Sequence, residues 1–368
     1  MSSSSPKTVS TLIAERRGHL GIVTLNRPGA LNALSLEMIR QLTGQLLAWR
    51  DDPDIGAVVL RGAARPGKAP AFCAGGDIRF FHQGALAGDP RVEDFFTEEY
   101  TLDYLVHTFP KPTLALMDGI TMGGGMGLSQ GTRLRIVTEH SKLAMPETNI
   151  GLFPDVGGGG FLARNPGHLG EFLGLTGQVV QAADAIEIGW ADIEVASSRL
   201  DELLDAVAAA TRPDGQGALE SARAFAQPIR VGAILAERPL IDRVFGLPSL
   251  REIVAALQSE TGAFAAEAAR LLSLRSPLMM AVTLEQIRRA RGMTLAEDLR
   301  MERDLMRHCF HLRPGASETL EGIRALAVDK DHSPRWNPPT VAEVDDALVQ
   351  AFFASPWPAF AHPLRHLA

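Results

Sequence analysis

The chain has 368 residues, enough for one large domain or two of ordinary size, and its 46% hydrophobic and 21% charged content is that of a globular protein with a core. A formal net charge of −7 excludes an overall electrostatic grip on nucleic acid, though not a local basic pocket for a phosphorylated ligand. Two cysteines far apart in sequence, Cys73 and Cys309, exclude a disulfide framework and a Cys-rich zinc site, and no apolar run of about 18 residues suggests a membrane-spanning helix.

In chain order, residues 1–10 (MSSSSPKTVS) read as a disordered tail. The opening MSSSSPKTVSTLIAERRG holds no apolar stretch of signal-peptide length and no Arg-rich amphipathic pattern of the organelle-targeting kind, so a soluble, cytoplasmic protein is expected. HLGIVTLN (His19 to Asn26) alternates apolar and polar residues and stops at Arg27-Pro28-Gly29, as a strand would. Ser35 can cap a following helix, with Glu37 in its first turn and Leu36, Ile39, Leu42 or Thr43, and Leu46 at helical spacing up to Trp49. AVVLRG (Ala57 to Gly62), TLALMDG (Thr113 to Gly119) and RLRIVTE (Arg133 to Glu139) read as further strands. Strands separated by helices predict βαβ units and an α/β first half, over residues 11–200.

From residue 201 the pattern is helical and rich in Ala, Leu, Glu and Arg, through DELLDAVAAATR, SLREIVAALQ and GAFAAEAARLL to TLAEDLRMERDLMRHC. This predicts a helical C-terminal region over residues 201–345. The tail, 346–368, contains part of a last helix with Pro-rich flanks.

Several motif matches dissolve on inspection. GAARPGKA (Gly62 to Ala69) fits most of a phosphate-loop pattern, but Ala69 stands where Ser or Thr would hold magnesium, and Pro70 prevents the helix the loop requires. GLSQG (Gly127 to Gly131) matches the nucleophile elbow of serine hydrolases, yet TMGGGM before it makes no strong strand, and Ser129 reads as a packed residue in a small-residue helix starting near Gly124. The histidines offer no zinc spacing, and His308, Cys309 and His311 read as structural, so no metal is expected.

Two glycine-rich turns carry more. AFCAGGDI (Ala71 to Ile78) and ITMGGGMGL (Ile120 to Leu128) each follow a strand and lead towards a helix. Backbone N–H groups in such turns are unpaired, and two of them converging on one carbonyl oxygen make an oxyanion hole. Downstream, MPETNIGLFPDVGGGG supplies Glu147 and Asp155 among Met145, Ile150, Leu152 and Phe153, apolar company that raises a carboxyl pKa. A carboxylate pair so held suits general acid–base or nucleophilic work; each carboxylate taken singly could equally cap a helix or pair with an arginine.

With NRPGALNALS (Asn26 to Ser35), AFCAGGDI, ITMGGGMGLS and MPETNIGLFPDVGGG in this order, the chain resembles the enoyl-CoA hydratase/isomerase (crotonase) superfamily over most of its length. The resemblance implies a crotonase-like ββα spiral core followed by the helical C-terminal region, and an acyl-CoA substrate in which CoA is no separate cofactor. It implies an oxyanion hole from the amides of Gly76 and Gly124, and CoA lying along Asn32, Ala33 and Leu34 and along Cys73, Ala74, Gly75 and Gly76. It leaves assembly open between a homo-oligomer and a monomer closed by a helical arm; neither nucleic acid nor membrane is an expected partner.

Hydratases of the superfamily carry two glutamates. The later matches Glu147; the earlier falls on Gly127, which has no side chain, while Asp155 stands where hydratases have glycine. This exchange, with FFTEEY (Phe95 to Tyr100) and LAVDKDHSPRW (Leu326 to Trp336), resembles the 3-hydroxyisobutyryl-CoA hydrolase branch. The branch's substrate contacts would fall on Glu99, Gly124, Glu147 and Asp155. SETLEG (Ser317 to Gly322) departs from the aromatic-containing turn usual in that branch. The implied activity is hydrolysis of a short 3-hydroxyacyl-CoA thioester, with Glu147 as nucleophile or base and Asp155 orienting substrate or water. The alternatives are an enoyl-CoA hydratase or isomerase on the same fold, an acyl-CoA binder without turnover, and a serine hydrolase using Ser129.

Overall fold

The computed structural model describes residues 10–65 and 67–368. The expected N-terminal tail lies, but for Ser10, outside the described residues.

Among the described residues nine strands form two sheets: β1 (Leu12–Arg17), β2 (Leu20–Leu25), β3 (Ala57–Gly62), β4 (Ala71–Cys73), β5 (Thr113–Met117), β6 (Ile120–Met122), β7 (Leu134–Val137), β8 (Lys142–Ala144) and β9 (Ile193–Glu194). The larger sheet runs β1-β2-β3-β5-β7-β9 and the smaller runs β4-β6-β8. Only β1 is antiparallel to its neighbour; the other pairs are parallel. Chain order therefore alternates between sheets: β3 leads to β4, β5 to β6 and β7 to β8. That is the expected α/β spiral of ββα turns.

The larger sheet is covered on both faces, which explains why its parallel strands read as near-continuous apolar runs. Val23, Leu25, Val58, Leu60, Ala115 and Met117 face the main core together with α1 (Leu36–Asp51), α2 (Ile78–Ala87) and α3 (Arg91–His107). Leu20, Ile22, Ala57, Val59, Leu114 and Leu116 face a second core with Leu203, Leu204 and Val207 of the helix Leu200–Ala210. Helix α1 begins where Ser35 predicts: its hydroxyl accepts from the amide of Met38 at 3.3 Å, and the five residues facing inward are Met38, Ile39, Leu42, Leu46 and Trp49.

Beyond residue 200 the ordered elements are helical up to Phe352. Two of them, Pro277–Ala290 and Leu295–His311, pack against α5 (Gly158–Ala163), and Leu295–His311 also packs against α3. The helical region thus returns to the part of the core that carries Asp155.

Candidate active site

The three short strands of the smaller sheet explain why distant residues meet. β4, β6 and β8 are parallel neighbours, so their C-terminal ends lie side by side, the usual place for a ligand in an open parallel sheet. Gly76 follows β4, Gly124 follows β6 as the first residue of α4 (Gly124–Gln130), and Glu147 follows β8 at the start of a short 3₁₀ turn, Glu147–Ile150. Among the described residues neither the Gly76 nor the Gly124 amide has an acceptor. Gly75 takes φ +100° and passes so close to the second loop that a β-carbon there would lie 3.7 Å from the Gly124 nitrogen. Two unpaired backbone donors thus sit on loops that touch one another.

These loops line a cavity of about 220 Å³, together with Ala74, Gly75, Glu99, Glu147 and Asp155 and an apolar wall that includes Phe81, Phe96, Ile150, Leu152 and Leu326. Glu99 enters from α3 and is 2% exposed; Glu147 and Asp155 are each 7% exposed. A β-carbon on Gly124 would lie 2.5 Å from Glu99 Oε1, and one on Gly123 would lie 2.9 Å from Glu147 Oε1, so both glycines make room for carboxylates. Asp155 is held by the Tyr100 hydroxyl, which donates to its Oδ2 at 2.8 Å, while the Asp155 carbonyl accepts from the Gly158 amide at 2.8 Å.

Crowding acids in an apolar pocket favours their neutral forms. Burial pushes Asp155 up to about 6, against the opposing pull of the Tyr100 hydrogen bond. Burial first, and then the neighbouring Asp155, hold Glu147 well above the ordinary carboxylate range. Glu99 is raised by burial, then by Asp155, Asp103 and Glu147. Asp103, one turn further along α3, is raised by burial and by Asp155, and both its carboxyl oxygens lack a hydrogen-bond partner among the described residues. Carboxyls held above their ordinary range in a cavity are candidates for acid–base or nucleophilic chemistry.

The proposed CoA residues divide. Ala74, Gly75 and Gly76 line the cavity; Asn32, Ala33, Leu34 and Cys73 do not. The Asn32 side chain is spent internally: its amide donates to the Ala63 and Ala71 carbonyls at 3.0 and 2.8 Å, and its oxygen accepts from the Arg27 amide. Leu34 pairs with the glycine turn through its own backbone, donating to the Gly75 carbonyl and accepting from the Asp77 amide. The Cys73 thiol is fully buried and pushed up to about 12 by that burial, which makes it inert. Ser129 is fully buried in α4, its hydroxyl donating to the Met126 carbonyl at 3.1 Å, away from the cavity. It is the packed helix residue that its sequence context predicts.

The structure adds residues that the sequence did not reveal. Tyr100 is adjacent to Glu99 in FFTEEY but meets Asp155 only through the fold. Gln286, Asp298 and Glu302 come from the two C-terminal helices and grip the backbone of residues 154–160. SETLEG, without the aromatic residue, forms the helix Glu318–Ile323, whose Thr319 hydroxyl donates to the Gly151 carbonyl at 2.7 Å and backs the Glu147 turn.

Gly127, on α4, is closed off from the cavity by Val156: a β-carbon there would lie 2.6 Å from Val156 Cβ and 3.0 Å from Asp103 Oδ1. No side chain at this position fits the fold as it stands.

Comparison with known proteins agrees with the fold. Mitochondrial 3-hydroxyisobutyryl-CoA hydrolase from Danio rerio is 40% identical over 356 residues, 95% of this chain and 91% of the relative. That from Gallus gallus is 38% identical over 351 residues, 94% and 89% respectively. Among solved structures, a carnitinyl-CoA dehydratase from Mycobacterium thermoresistibile has a TM-score of 0.86 at 37% identity, covering 94% of this chain and 97% of that one. An enoyl-CoA hydratase from Rhodobacter sphaeroides has a TM-score of 0.84 at 37% identity, covering 94% and 98%. The curated relatives are named as mitochondrial proteins, which overturns the cytoplasmic expectation. That expectation rested on the first residues, and the family match begins only at residue 20, so the segment used was one that says little about the shared fold. The family model for enoyl-CoA hydratase/isomerase matches residues 20–353, and with relatives of this identity over nearly the whole chain, this protein belongs to the enoyl-CoA hydratase/isomerase family.

Proposed function

We propose that the chain hydrolyses the thioester of a short 3-hydroxyacyl-CoA, 3-hydroxyisobutyryl-CoA foremost, releasing CoA and 3-hydroxyisobutyrate as a step in valine breakdown. The observation that carries this reading is the pairing of Glu147 with Asp155 on one small cavity, while Gly127, shut off behind Val156, has neither a side chain nor space for one. An enoyl-CoA hydratase working with two glutamates would lack half of its acid–base pair.

In this reading the thioester carbonyl oxygen is held by the amides of Gly76 and Gly124, which stabilise the oxyanion as it forms, an effect worth a few kcal/mol per donor. Glu147 either attacks the carbonyl carbon, giving a mixed anhydride and CoA thiolate, or removes a proton from an attacking water. In the first route water then cleaves the anhydride and restores the carboxylate. In both, the departing thiolate takes up one proton, and Asp155 supplies it or orients the water. Glu99 faces the same cavity as a partner for the substrate hydroxyl. The apolar wall leaves little room, which suits a short branched acyl group. No separate cofactor takes part, because CoA enters with the substrate.

The solved relatives named hydratase and dehydratase make an enoyl-CoA hydratase the second reading. Free thiol is measured across a panel of acyl-CoAs, alongside enoyl absorbance. Thiol release from 3-hydroxyisobutyryl-CoA supports hydrolysis; loss of enoyl absorbance without free thiol supports hydration; CoA binding with neither signal means a binder. Ser129→Ala should leave thiol release unchanged, and its loss would revive the serine hydrolase.

A further inference from the structure

The segment that presents Asp155 cannot hold its own shape. Val156 takes φ +58° and Gly157 φ +83°, and for a β-branched residue this left-handed conformation persists only where the surroundings impose it. Helix α5 follows at once, and Gly157 at its N-cap offers no side chain to its first amides. The surroundings that impose the turn come from the helical region. Glu302 Oε2 accepts from the Gly157 amide at 2.7 Å and Oε1 accepts from the Gly159 amide at 2.9 Å. Asp298 Oδ2 accepts from the Gly160 amide at 2.7 Å. On the other side of Asp155, the Gln286 amide donates to the Pro154 carbonyl at 2.6 Å and to Glu302 Oε1 at 3.2 Å. Asp155 therefore sits between two gripped residues, Pro154 and Gly157. Gln286 and Glu302 are fully buried and Asp298 is 1% exposed, so none of these bonds competes with water.

We infer that Glu302, with Gln286 bonded to it, is a positioning residue for the reaction: it holds the Val156–Gly157 turn that aims Asp155 into the cavity. This rests on the role given to Asp155 above. Neither residue lines the cavity, and both act through Asp155. Burial first, and then Asp298 on its own helix, hold the Glu302 carboxyl well above its ordinary value against the pull of the Gly157 and Gly159 amides, and Asp155 on the opposing segment adds to the rise. A glutamine at 302 keeps the shape but turns one acceptor into a donor, leaving an amide of the turn without a partner.

The test uses the full chain and the variants Glu302→Gln, Glu302→Asp and Gln286→Met, with thiol release and hydrogen exchange of residues 154–160 read on the same samples. Glu302→Gln should lower kcat per folded molecule about tenfold to a hundredfold with KM within about threefold, as expected for a misaimed group. Glu302→Asp, whose shorter carboxyl still offers the turn two acceptor oxygens, should restore part of the lost kcat. Exchange should quicken at Gly157 and Gly159 and not across the α/β core. Wild-type kcat and unchanged exchange in Glu302→Gln overturn the proposal, as does a fall in Tm with kcat unaltered. Should Glu302→Gln fail to fold, Gln286→Met decides by the same two readouts, with a fall in kcat of about threefold to tenfold expected. A wild-type chain that releases no thiol overturns the proposed function instead, and the exchange measurement then judges the clasp alone.

Discussion

The Tyr100 hydroxyl donates a 2.8 Å hydrogen bond to Asp155 Oδ2, and no other side chain among the described residues donates to that carboxyl. The bond favours the ionised carboxylate against a burial that opposes it, and the balance leaves Asp155 at about 6. If ionised Asp155 serves turnover, kcat/KM should rise with pH along an acid limb near that value. Tyr100→Phe removes the stabilising donor, so the limb should move to higher pH, with kcat at its plateau reduced about tenfold. A pH–rate profile of the variant checks both; a limb that stays in place or moves down contradicts the assignment.

Glu147→Gln and Asp155→Asn should each reduce thiol release by about 10²- to 10⁴-fold while CoA-ester affinity changes little, because both substitutions keep the cavity volume and remove only reactive charge. Single-turnover thiol detection and calorimetric binding separate the two effects. Near-normal turnover in Glu147→Gln would remove Glu147 from the chemistry.

Gly127→Glu should not install hydration. Its β-carbon meets Val156 Cβ at 2.6 Å, both on backbone-bound atoms that cannot swing aside, so about 3 kcal/mol or more of stability should be lost. Adding Val156→Gly in the same chain should recover much of that loss. Urea unfolding of the single and double variants tests the coupling; a single variant as stable as the parent would deny it.

Asp103→Asn should stabilise the protein, more at high pH than at low. Burial holds the Asp103 carboxyl well above its ordinary value, so the folded state binds this proton more tightly than the unfolded chain does. Its contribution is complete below the ordinary aspartate pKa and declines as pH rises towards the folded value. Asparagine carries no charge to strand, and Tm at pH 8 should rise by about 2–5 °C, with a smaller gain at pH 5. Thermal scans at the two pH values decide the matter.

Much of the core was legible because its signals are local. Ser35 caps α1 where the pattern says it should, and the parallel strands read as apolar runs because both sheet faces are covered. β1 was missed: in LIAERR only Leu12 is buried, so an edge strand held by pairing with β2 shows no alternation. β4, β6 and β8 have three residues each, too few for a period, although they are what brings Gly76, Gly124 and Glu147 together. Asn32 lies in the block whose resemblance implies a CoA contact, and nothing local shows that its side chain staples two loops to each other. Tyr100 and Glu302 carry no local mark at all, since they meet Asp155 and its turn across 55 and 145 residues of chain.

That last separation bears on how the protein is made. During synthesis at about 5–20 residues per second, the turn around Asp155 leaves the ribosome many seconds before Glu302 does. Through that interval the glycine-rich backbone of residues 157–160 lacks its Glu302 and Asp298 acceptors, the left-handed Val156 has nothing to enforce it, and an acid-lined hollow stands open to solvent or a chaperone. Activity should therefore appear late and all at once, when the helix Leu295–His311 docks, and a nascent chain released before residue 302 should hold most of its sheet while remaining chemically silent.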